Sequence, residues 1–350
     1  MQLIELQENT WIIQGGANIG IMAHEGHCLI IDSGMDKETG QNILKQVKKL
    51  GLTPTALLIT HAHADHFGGA HYLVRQTGLK VFATRIEASV MSGPILEPLY
   101  LFGGAQPPRE LQHKFFLAKP CTADVILEGN EQSVDQIPLK VISLPGHSSE
   151  QVGVAYGNTL FISDAFFTPE ILDKHRIPFY TDIQEGLKTL SFLKTVINDA
   201  TTSSAIALTQ TDGSSSKEPF VNDPTASSAT ALTQMSGSTP KTKTTPFRLV
   251  VPGHGEIYSS PDYVKRVIEY TVQRLESILE QVRSSLANGE ARSSIDVLSS
   301  VAAAHGATIT TLPQHALYNT TIQAALSALY TQGEIHPIFQ DNYLLWQRMQ

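Results

Sequence analysis

The sequence predicts an α/β fold built in layers, with helices on the outside and a smaller helical unit at the end. Apolar runs typical of buried strands alternate with amphipathic helical patterns over most of the 350 residues. Histidine and aspartate residues repeatedly follow those apolar runs, and the pattern changes to long helices after Pro261. We therefore predict a layered domain at 1–260 and a mainly helical C-terminal domain at 261–350.

The first strands are expected between residues 9 and 34. Apolar clusters there alternate with Gly, Asn and Asp, as in antiparallel strands, and the run CLIID is typical of a strand covered on both faces. Ile43, Val47 and Leu50 then recur at helical spacing before Gly51 ends the pattern. TALLIT and KVFAT are the next buried strands, and a helix is expected between them at 70–76.

Residues 94–120 are rich in Pro, Gly and aromatic residues, so we expect an ordered excursion beside a site and no core element. Strands follow at LKVISLP, VGVAYGN and TLFISD, and a helix at IQEGLKTLSFLKTV. The segment 198–245 consists mostly of Thr, Ser, Ala, Gly and Pro and holds two similar copies, from Asn198 and Asn222. Because two copies are too few for a solenoid and large apolar groups are scarce, we expect a flexible insertion.

The tail begins with a long amphipathic helix pattern from Pro261. Two further helical patterns, IDVLSSVAAAHG and TTIQAALSALYTQG, follow it, and EIHPIFQDNYLLWQ alternates like a hairpin. This order predicts a small winged-helix-like domain. Its role stays open between packing, formation of a homodimer and a wall of a substrate pocket.

Charge and composition argue against several classes of function. The formal net charge is −8, whereas a general nucleic-acid surface needs clustered Lys and Arg. No apolar run approaches the roughly 18 residues of a membrane span, and the first residues lack a signal-peptide pattern. Two cysteines form no disulfide framework. We expect a soluble, cytoplasmic protein that acts on a small molecule, without a membrane partner and with nucleic acid disfavoured.

The stretch LLITHAHADHFGGA places His61, His63, Asp65 and His66 directly after an apolar run. Alternate side chains of an extended segment share a face, so the first three would point the same way. Such a cluster is costly to bury unpaired, and protonated histidines would also repel one another. A divalent cation removes both penalties, so the stretch predicts a metal site anchored on a rigid strand.

Three further donors occupy the same kind of position. His147 follows ISLPG, Asp164 follows LFIS, and His254 follows LVVPG. Four apolar strands thus end in donor residues, which favours a shared metal site over four unrelated structural roles.

These residues resemble the metallo-β-lactamase superfamily, in particular its glyoxalase-II-like hydrolases. The family motif His-x-His-x-Asp-His matches residues 61–66 without a departure, and LIIDSG at 29–34 resembles the family's early strand and turn. The resemblance covers residues 8–258 apart from the insertion, and it implies a four-layer αββα sandwich with a dinuclear site. Antibiotic-hydrolysing members carry Cys or Ser at the position of Asp164, which disfavours a dedicated β-lactamase.

The resemblance also implies how the ligands divide between two divalent metal ions. One ion would take His61, His63 and His147, the other would take Asp65, His66 and His254, and Asp164 would bridge both. Imidazole and carboxylate ligands suit zinc, with iron or manganese as alternatives. Asp32 is either a carboxylate that orients a ligand histidine or a turn-forming residue.

The implied reaction is hydrolysis of a thioester, ester or lactone by a hydroxide that bridges the two metals. Asp65 would be catalytic as well as a ligand, passing a proton to the leaving group. Two alternatives stay open on the same fold: a phosphodiesterase or ribonuclease, and a mononuclear iron persulfide dioxygenase. Residues 256–350 contain nine acidic and six basic side chains, which favours carboxylic substrates over nucleic acid. A non-catalytic binding module is disfavoured because it would not need two metal sites.

Overall fold

The computed structural model of the chain describes residues 1–198, 247–287 and 289–349. Apart from Asn198, the insertion predicted at 198–245 lies outside the described residues, so its character stays a prediction.

The described residues form fifteen strands. These are β1 (Gln2–Gln7), β2 (Thr10–Gln14), β3 (Ile19–His24), β4 (His27–Ile31), β5 (Thr53–Leu58), β6 (Lys80–Thr84), β7 (Val125–Leu127), β8 (Ser133–Val134), β9 (Ile137–Pro138), β10 (Lys140–Ser143), β11 (Val152–Tyr156), β12 (Thr159–Ser163), β13 (Leu249–Pro252), β14 (Ile335–Gln340) and β15 (Tyr343–Arg348).

Ten α-helices and one short 3-10 helix accompany them in the described residues. The α-helices are α1 (Lys37–Lys49), α2 (Ala64–Phe67), α3 (Ala70–Thr77), α4 (Arg85–Ser92), α5 (Leu96–Leu101), α6 (Pro169–His175), α7 (Ile183–Asn198), α8 (Pro261–Ser285), α9 (Ser294–Ala304) and α10 (Leu312–Thr331), and the 3-10 helix is Arg109–Leu111.

Two large sheets carry the fold. The first has seven strands in the order β1-β2-β3-β4-β5-β6-β7; its first four are antiparallel neighbours, and β4 to β7 run parallel. The second has the order β10-β11-β12-β13, with β12 and β13 parallel. Two small hairpins, β8–β9 and β14–β15, complete the sheets of the described residues.

Alternate residues of the first sheet face two different cores, as the period of two along a strand requires. Ile13, Ile21 and Ile30 pack with Ile43 and Val47 of α1. The intervening residues pack against the second sheet, in a cluster that includes Ile12, Met22, Leu29, Val141, Val154 and Phe161. The other face of the second sheet is covered by helices. The order helix, sheet, sheet, helix confirms the predicted αββα layers.

The C-terminal helices share a core with the second sheet. Leu160 and Ile162 of β12 belong to one buried cluster with Leu190 of α7, Leu275 of α8 and Ile322 of α10. The helical character of the tail and its closing hairpin are confirmed. The domain boundary at residue 260 and the winged-helix assignment stay predictions.

Capping residues fix where the tail helices begin. The Ser260 side chain accepts from the amide of Tyr263 at the start of α8, and Pro261 occupies the first turn, where its missing N–H costs nothing. Ser293 and Asp296 form a reciprocal capping box at the start of α9. The Thr311 side chain caps α10 in the same way as Ser260 caps α8.

The excursion at 94–120 is more regular than the sequence suggests. It contains α5 and the 3-10 helix, and Leu111 and Phe116 form a small buried cluster with Ala316 of α10. The expectation that this segment adds no core element was therefore wrong. Helix α5 has only six residues, too few for a periodic signal, and Pro98 lies in its first turn, where proline is tolerated.

Within the described residues, none of the helices is both long enough and apolar enough to span a membrane.

Candidate metal centre

The candidate ligands follow strand ends in both sheets. His61, His63, Asp65 and His66 lie between β5 and the end of α2, and His63 is the residue that precedes the first turn of α2. His147 follows β10, Asp164 follows β12 directly, and His254 follows β13. The structure brings all seven sequence-predicted residues together, and none of them lies elsewhere.

Three histidines form the first set of donors. His61 Nε2 lies 3.0 Å from His63 Nδ1, and His147 Nε2 lies 2.9 Å from the same His63 atom. His61 is fully buried and His147 is 5% exposed, so water cannot surround these nitrogens. The three lone pairs therefore converge on one point.

The second set consists of Asp65, His66 and His254. His254 Nε2 lies 3.3 Å from His66 Nε2 and 3.2 Å from Asp65 Oδ2. His66 is fully buried, whereas Asp65 and His254 are partly exposed. This set therefore faces the side from which a substrate would enter.

Asp164 lies between the two sets. Its Oδ2 is 3.6 Å from His147 Nε2 and 3.3 Å from His254 Nε2, and its Oδ1 is 3.6 Å from His66 Nε2. A Cβ on Gly253 would come within 1.9 Å of Asp164 Oδ1, so the Pro-Gly turn before His254 leaves space for this carboxylate. The position suits a residue that contacts both sets.

The donor set fits divalent cations. Three triplets each have their ligand atoms within 4.8 Å of one another: His61, His63 and His147; His61, His66 and Asp164; Asp65, His66 and His254. Asp164 Oδ1 is buried and has no hydrogen-bond partner among the described residues, which is costly for a carboxylate unless a cation compensates it. Imidazole and carboxylate donors are those preferred by zinc.

Hydrogen bonds to the other ring nitrogen orient three of the histidines. His66 Nδ1 donates to Asp32 Oδ2 at 2.8 Å, His147 Nδ1 donates to the carbonyl of Phe179 at 2.9 Å, and His254 Nδ1 donates to the carbonyl of Gly16 at 2.5 Å. Each bond leaves Nε2 free to face the site, as is usual for ligand histidines. The sequence left two roles open for Asp32, and the structure places it against His66.

Asp32 is itself held firmly. Its Oδ1 accepts from the amide of Thr60 at 2.8 Å, and its Oδ2 accepts from the Thr60 hydroxyl at 2.9 Å. It adopts a φ of 62°, an uncommon conformation that Asp tolerates better than most residues.

Burial and charge divide the histidines into two electrostatic groups. Burial lowers the pKa of His61, of His147 and of His63, the last to about 3, so these rings are neutral. Burial acts in the same direction on His66 and His254, but nearby carboxylates, chiefly Asp164, raise the pKa of His66 to about 9 and that of His254 to about 12. A divalent cation would therefore displace protons from the second set.

One buried carboxylate that the sequence did not identify links the loop that carries His61 to the loop that carries His147. We call these two segments the ligand loops. Glu87 Oε2 accepts from the amide of Ala62 at 2.8 Å, and its Oε1 accepts from the Ser148 hydroxyl at 2.8 Å and the Glu150 amide at 3.1 Å. Ala62 adjoins His61, and Ser148 adjoins His147. Glu87 lies in an ordinary helical pattern, so no local signal distinguishes it.

The C-terminal helix α10 reaches the same region. The hydroxyl of Thr321 donates to the carbonyl of Pro178 at 2.9 Å and accepts from the amide of Tyr180 at 3.2 Å. The residue between them is Phe179, whose carbonyl orients His147. No sequence pattern links Thr321 to a segment about 140 positions earlier.

A cavity of about 480 Å³ opens onto the candidate ligands. Asp65, His147, Asp164 and His254 line one side of it. The remaining wall is mostly apolar and includes Phe167, Ile171, Leu172, Ile177, Phe179 and Leu317. Because Leu317 belongs to α10, the tail supplies part of the wall, which was one of the three roles left open for it.

Comparisons with known proteins agree with the observed fold and with the candidate metal centre. The profile of the metallo-beta-lactamase superfamily matches residues 12–212. The probable metallo-hydrolase YqgX of Bacillus subtilis (strain 168) is 28% identical over 183 residues, which are 50% of this chain and 80% of that protein.

Two further matches differ in how much they cover. A hydroxyacylglutathione hydrolase of Serratia proteamaculans (strain 568) is 27% identical over 145 residues, 41% of this chain and 44% of that protein, so the chain spans less than half of this relative. The crystal structure of a beta-lactamase domain protein from Burkholderia ambifaria has a TM-score of 0.64 at 17% identity, and the match covers 99% of this chain and 93% of that one. This last likeness shows a shared fold.

Proposed function

The chain belongs to the metallo-β-lactamase superfamily, and from that membership we propose that it is a dinuclear metal-dependent hydrolase of a thioester, ester or lactone. The position of Asp164 carries the proposal. Its two oxygens lie 3.3–3.6 Å from nitrogens of both donor sets, as a ligand shared by two ions requires. The donor set favours zinc, with iron or manganese as alternatives.

Each set would hold one ion. His61, His63 and His147 supply neutral nitrogens to the first, and Asp65, His66 and His254 supply two nitrogens and a carboxylate to the second. Two bound ions would supply a water molecule whose pKa is lowered towards 7, and they would polarise the substrate carbonyl.

Asp65 is the residue we assign to proton transfer. It is partly exposed and lines the cavity, so a substrate atom can reach it. Burial alone would raise its pKa, but His66 and His254 hold the pKa of this carboxyl well below its usual range. Asp65 is therefore ionised at neutral pH, which is the state that a proton acceptor requires, and in this proposal it would take a proton during attack and return it to the leaving group.

The cavity wall favours a carboxylic substrate over a phosphodiester. Besides the candidate ligands, the ionisable side chains along it are Lys174, His175 and Tyr318, so the described lining contains one lysine and no arginine. A nucleic-acid backbone would need several cations along its path. The apolar wall suits an acyl or ring group of a small molecule, as in most small-molecule sites.

A turnover panel tests the proposal. Purified protein is loaded with zinc, its metal content is measured, and thioesters, lactones and bis-p-nitrophenyl phosphate are offered in parallel. We expect two metal ions per chain and turnover of at least one carboxylic substrate. His61→Ala should abolish turnover, whereas His27→Ala, which removes an exposed histidine at the start of β4, should leave it unchanged.

Other outcomes reject the proposal in favour of a stated alternative. Turnover of the phosphodiester alone would point to a phosphodiesterase. One iron per chain together with oxygen consumption on a persulfide would point to a dioxygenase. Full activity without bound metal would exclude all metal-dependent readings of the site.

A further inference from the structure

A second cavity lies apart from the candidate metal centre. Its volume is about 480 Å³, and it opens to solvent between the start of α1, α3 and residues 114–119 of the excursion. Gly68, which follows α2, forms part of its lining. None of the seven candidate ligands lines it.

This cavity is strongly cationic in an acidic protein. Lys and Arg make up 25 of the 350 residues, so twelve average residues would include about one, but the twelve that line this cavity include four. They are Lys37, Arg75, Lys114 and Lys119. Asp36 is the single carboxylate among the described residues that line the cavity. In a chain whose net charge is −8, four cations around one cavity are well above the average density of Lys and Arg in this sequence.

Three of the four cations have no carboxylate partner in the described part of the chain. Lys114 Nζ lies 3.5 Å from Asp36 Oδ2, so these two charges offset each other. Asp36 is further occupied as the cap of α1, where its Oδ1 accepts from the amide and the hydroxyl of Thr39. No described carboxylate lies within 4 Å of Lys37, Arg75 or Lys119, which leaves three positive charges around one concave space.

The cavity is also a built feature of the fold. His71 Nδ1 donates to the carbonyl of Pro120 at 3.0 Å and so fixes the excursion against α3. The half-buried ring of Tyr72 forms part of the wall, and Lys37 Nζ lies 6.0 Å from its centroid. A concave space of this volume suits a small molecule better than a polymer.

We propose that this cavity binds a phosphorylated small molecule. Lys37, Arg75 and Lys119 contact the phosphate oxygens, Arg75 with the paired donors that suit a phosphate group. Tyr72 and Leu117 contact the organic part. The proposal does not depend on the reaction proposed for the metal centre, because the two sites share no side chain.

Calorimetric titration of the full, metal-loaded chain tests this proposal, with inorganic phosphate and ADP as probes at low ionic strength. The test variant is Lys37→Gln/Arg75→Gln/Lys119→Gln. The matched control is Lys45→Gln/Lys48→Gln/Lys49→Gln, which removes the same charge from exposed positions on α1 outside the cavity. Binding to the metal ions themselves would be common to all three proteins, so the difference between the two variants reports the cavity.

We expect saturable binding of both probes, weakened at least tenfold in the test variant and less than threefold in the control. Tyr72→Leu should weaken the binding of ADP but not that of inorganic phosphate, which distinguishes contacts with the organic part from contacts with the phosphate group. Equal weakening in the two triple variants, or no saturable binding by the wild type, would overturn the proposal. Thermal unfolding of each variant verifies that it is folded.

Discussion

Replacing Thr321 with valine tests whether α10 positions the candidate ligand His147. The hydroxyl of Thr321 forms hydrogen bonds with the Pro178 carbonyl and the Tyr180 amide. The carbonyl of Phe179, the residue between these two, accepts from His147 Nδ1 at 2.9 Å. Thr321 and Tyr180 are fully buried. Valine has nearly the same shape, so the substitution removes these bonds without opening a cavity.

The loss of stability follows from the two groups that the substitution leaves without this partner, the Pro178 carbonyl and the Tyr180 amide. An unsatisfied buried polar group costs about 1–3 kcal/mol, so two cost about 2–6 kcal/mol, and the added buried methyl returns about 1 kcal/mol. We expect the free energy of unfolding to fall by about 3 kcal/mol. Loss of a group that bonds directly to a ligand histidine typically weakens metal affinity about 10–100-fold, and since Thr321 acts one residue further away, we expect about tenfold.

Thr320→Val is the matched control. Among the described residues, the hydroxyl of Thr320 bonds only to the carbonyl of Ala316 one turn earlier in the same helix, so the same change of residue type removes no contact with the 178–180 segment. We expect the free energy of unfolding of this control to change by less than about 0.5 kcal/mol.

Urea unfolding and a competitive zinc titration measure both effects. Thr321→Ser keeps the hydroxyl and should restore zinc affinity, which a purely volume-dependent effect would not do. Equal loss in Thr320→Val and Thr321→Val, or unchanged zinc affinity in Thr321→Val, would refute the link between α10 and His147.

Two further predictions concern the metal centre. Glu87→Gln should lower zinc affinity at least about tenfold, because one side-chain amide cannot accept from all three donors that Glu87 binds. The control is Glu150→Gln, which alters a carboxylate that accepts from an exposed amide at the start of α4 and should change zinc affinity little. Equal effects of the two substitutions would contradict the role of Glu87 in linking the ligand loops. Zinc binding at pH 7 should release protons, because the pKa values of His66 and His254 lie above 7 in the metal-free protein. Zinc affinity should therefore rise with pH. Calorimetry in buffers of different ionisation enthalpy measures the protons released, and no release would show that these two histidines are not protonated in the metal-free protein.

Much of the site could be predicted because its signal is local. Each candidate ligand follows an apolar run, and the alternation of Ile12 with Ile13 and of Leu57 with Leu58 between two cores shows that the strand periodicity was interpreted correctly. The excursion at 94–120 was misjudged because a six-residue helix that contains Pro98 carries no periodic signal. Backbone groups such as the Phe179 carbonyl have no side-chain identity at all, so sequence patterns cannot reveal them.

The sequence by itself determined the layers and the seven donor residues, because the period of a strand and the residue types at its end are properties of neighbouring positions. The tertiary structure alone decided which distant groups support them, namely Glu87 between two ligand loops and Thr321 against a segment 141–143 positions earlier. It also gathered around a separate cavity three cations that have no carboxylate partner among the described residues. These contacts arise when separate elements pack against one another, and the free energy that selects them depends on the whole core.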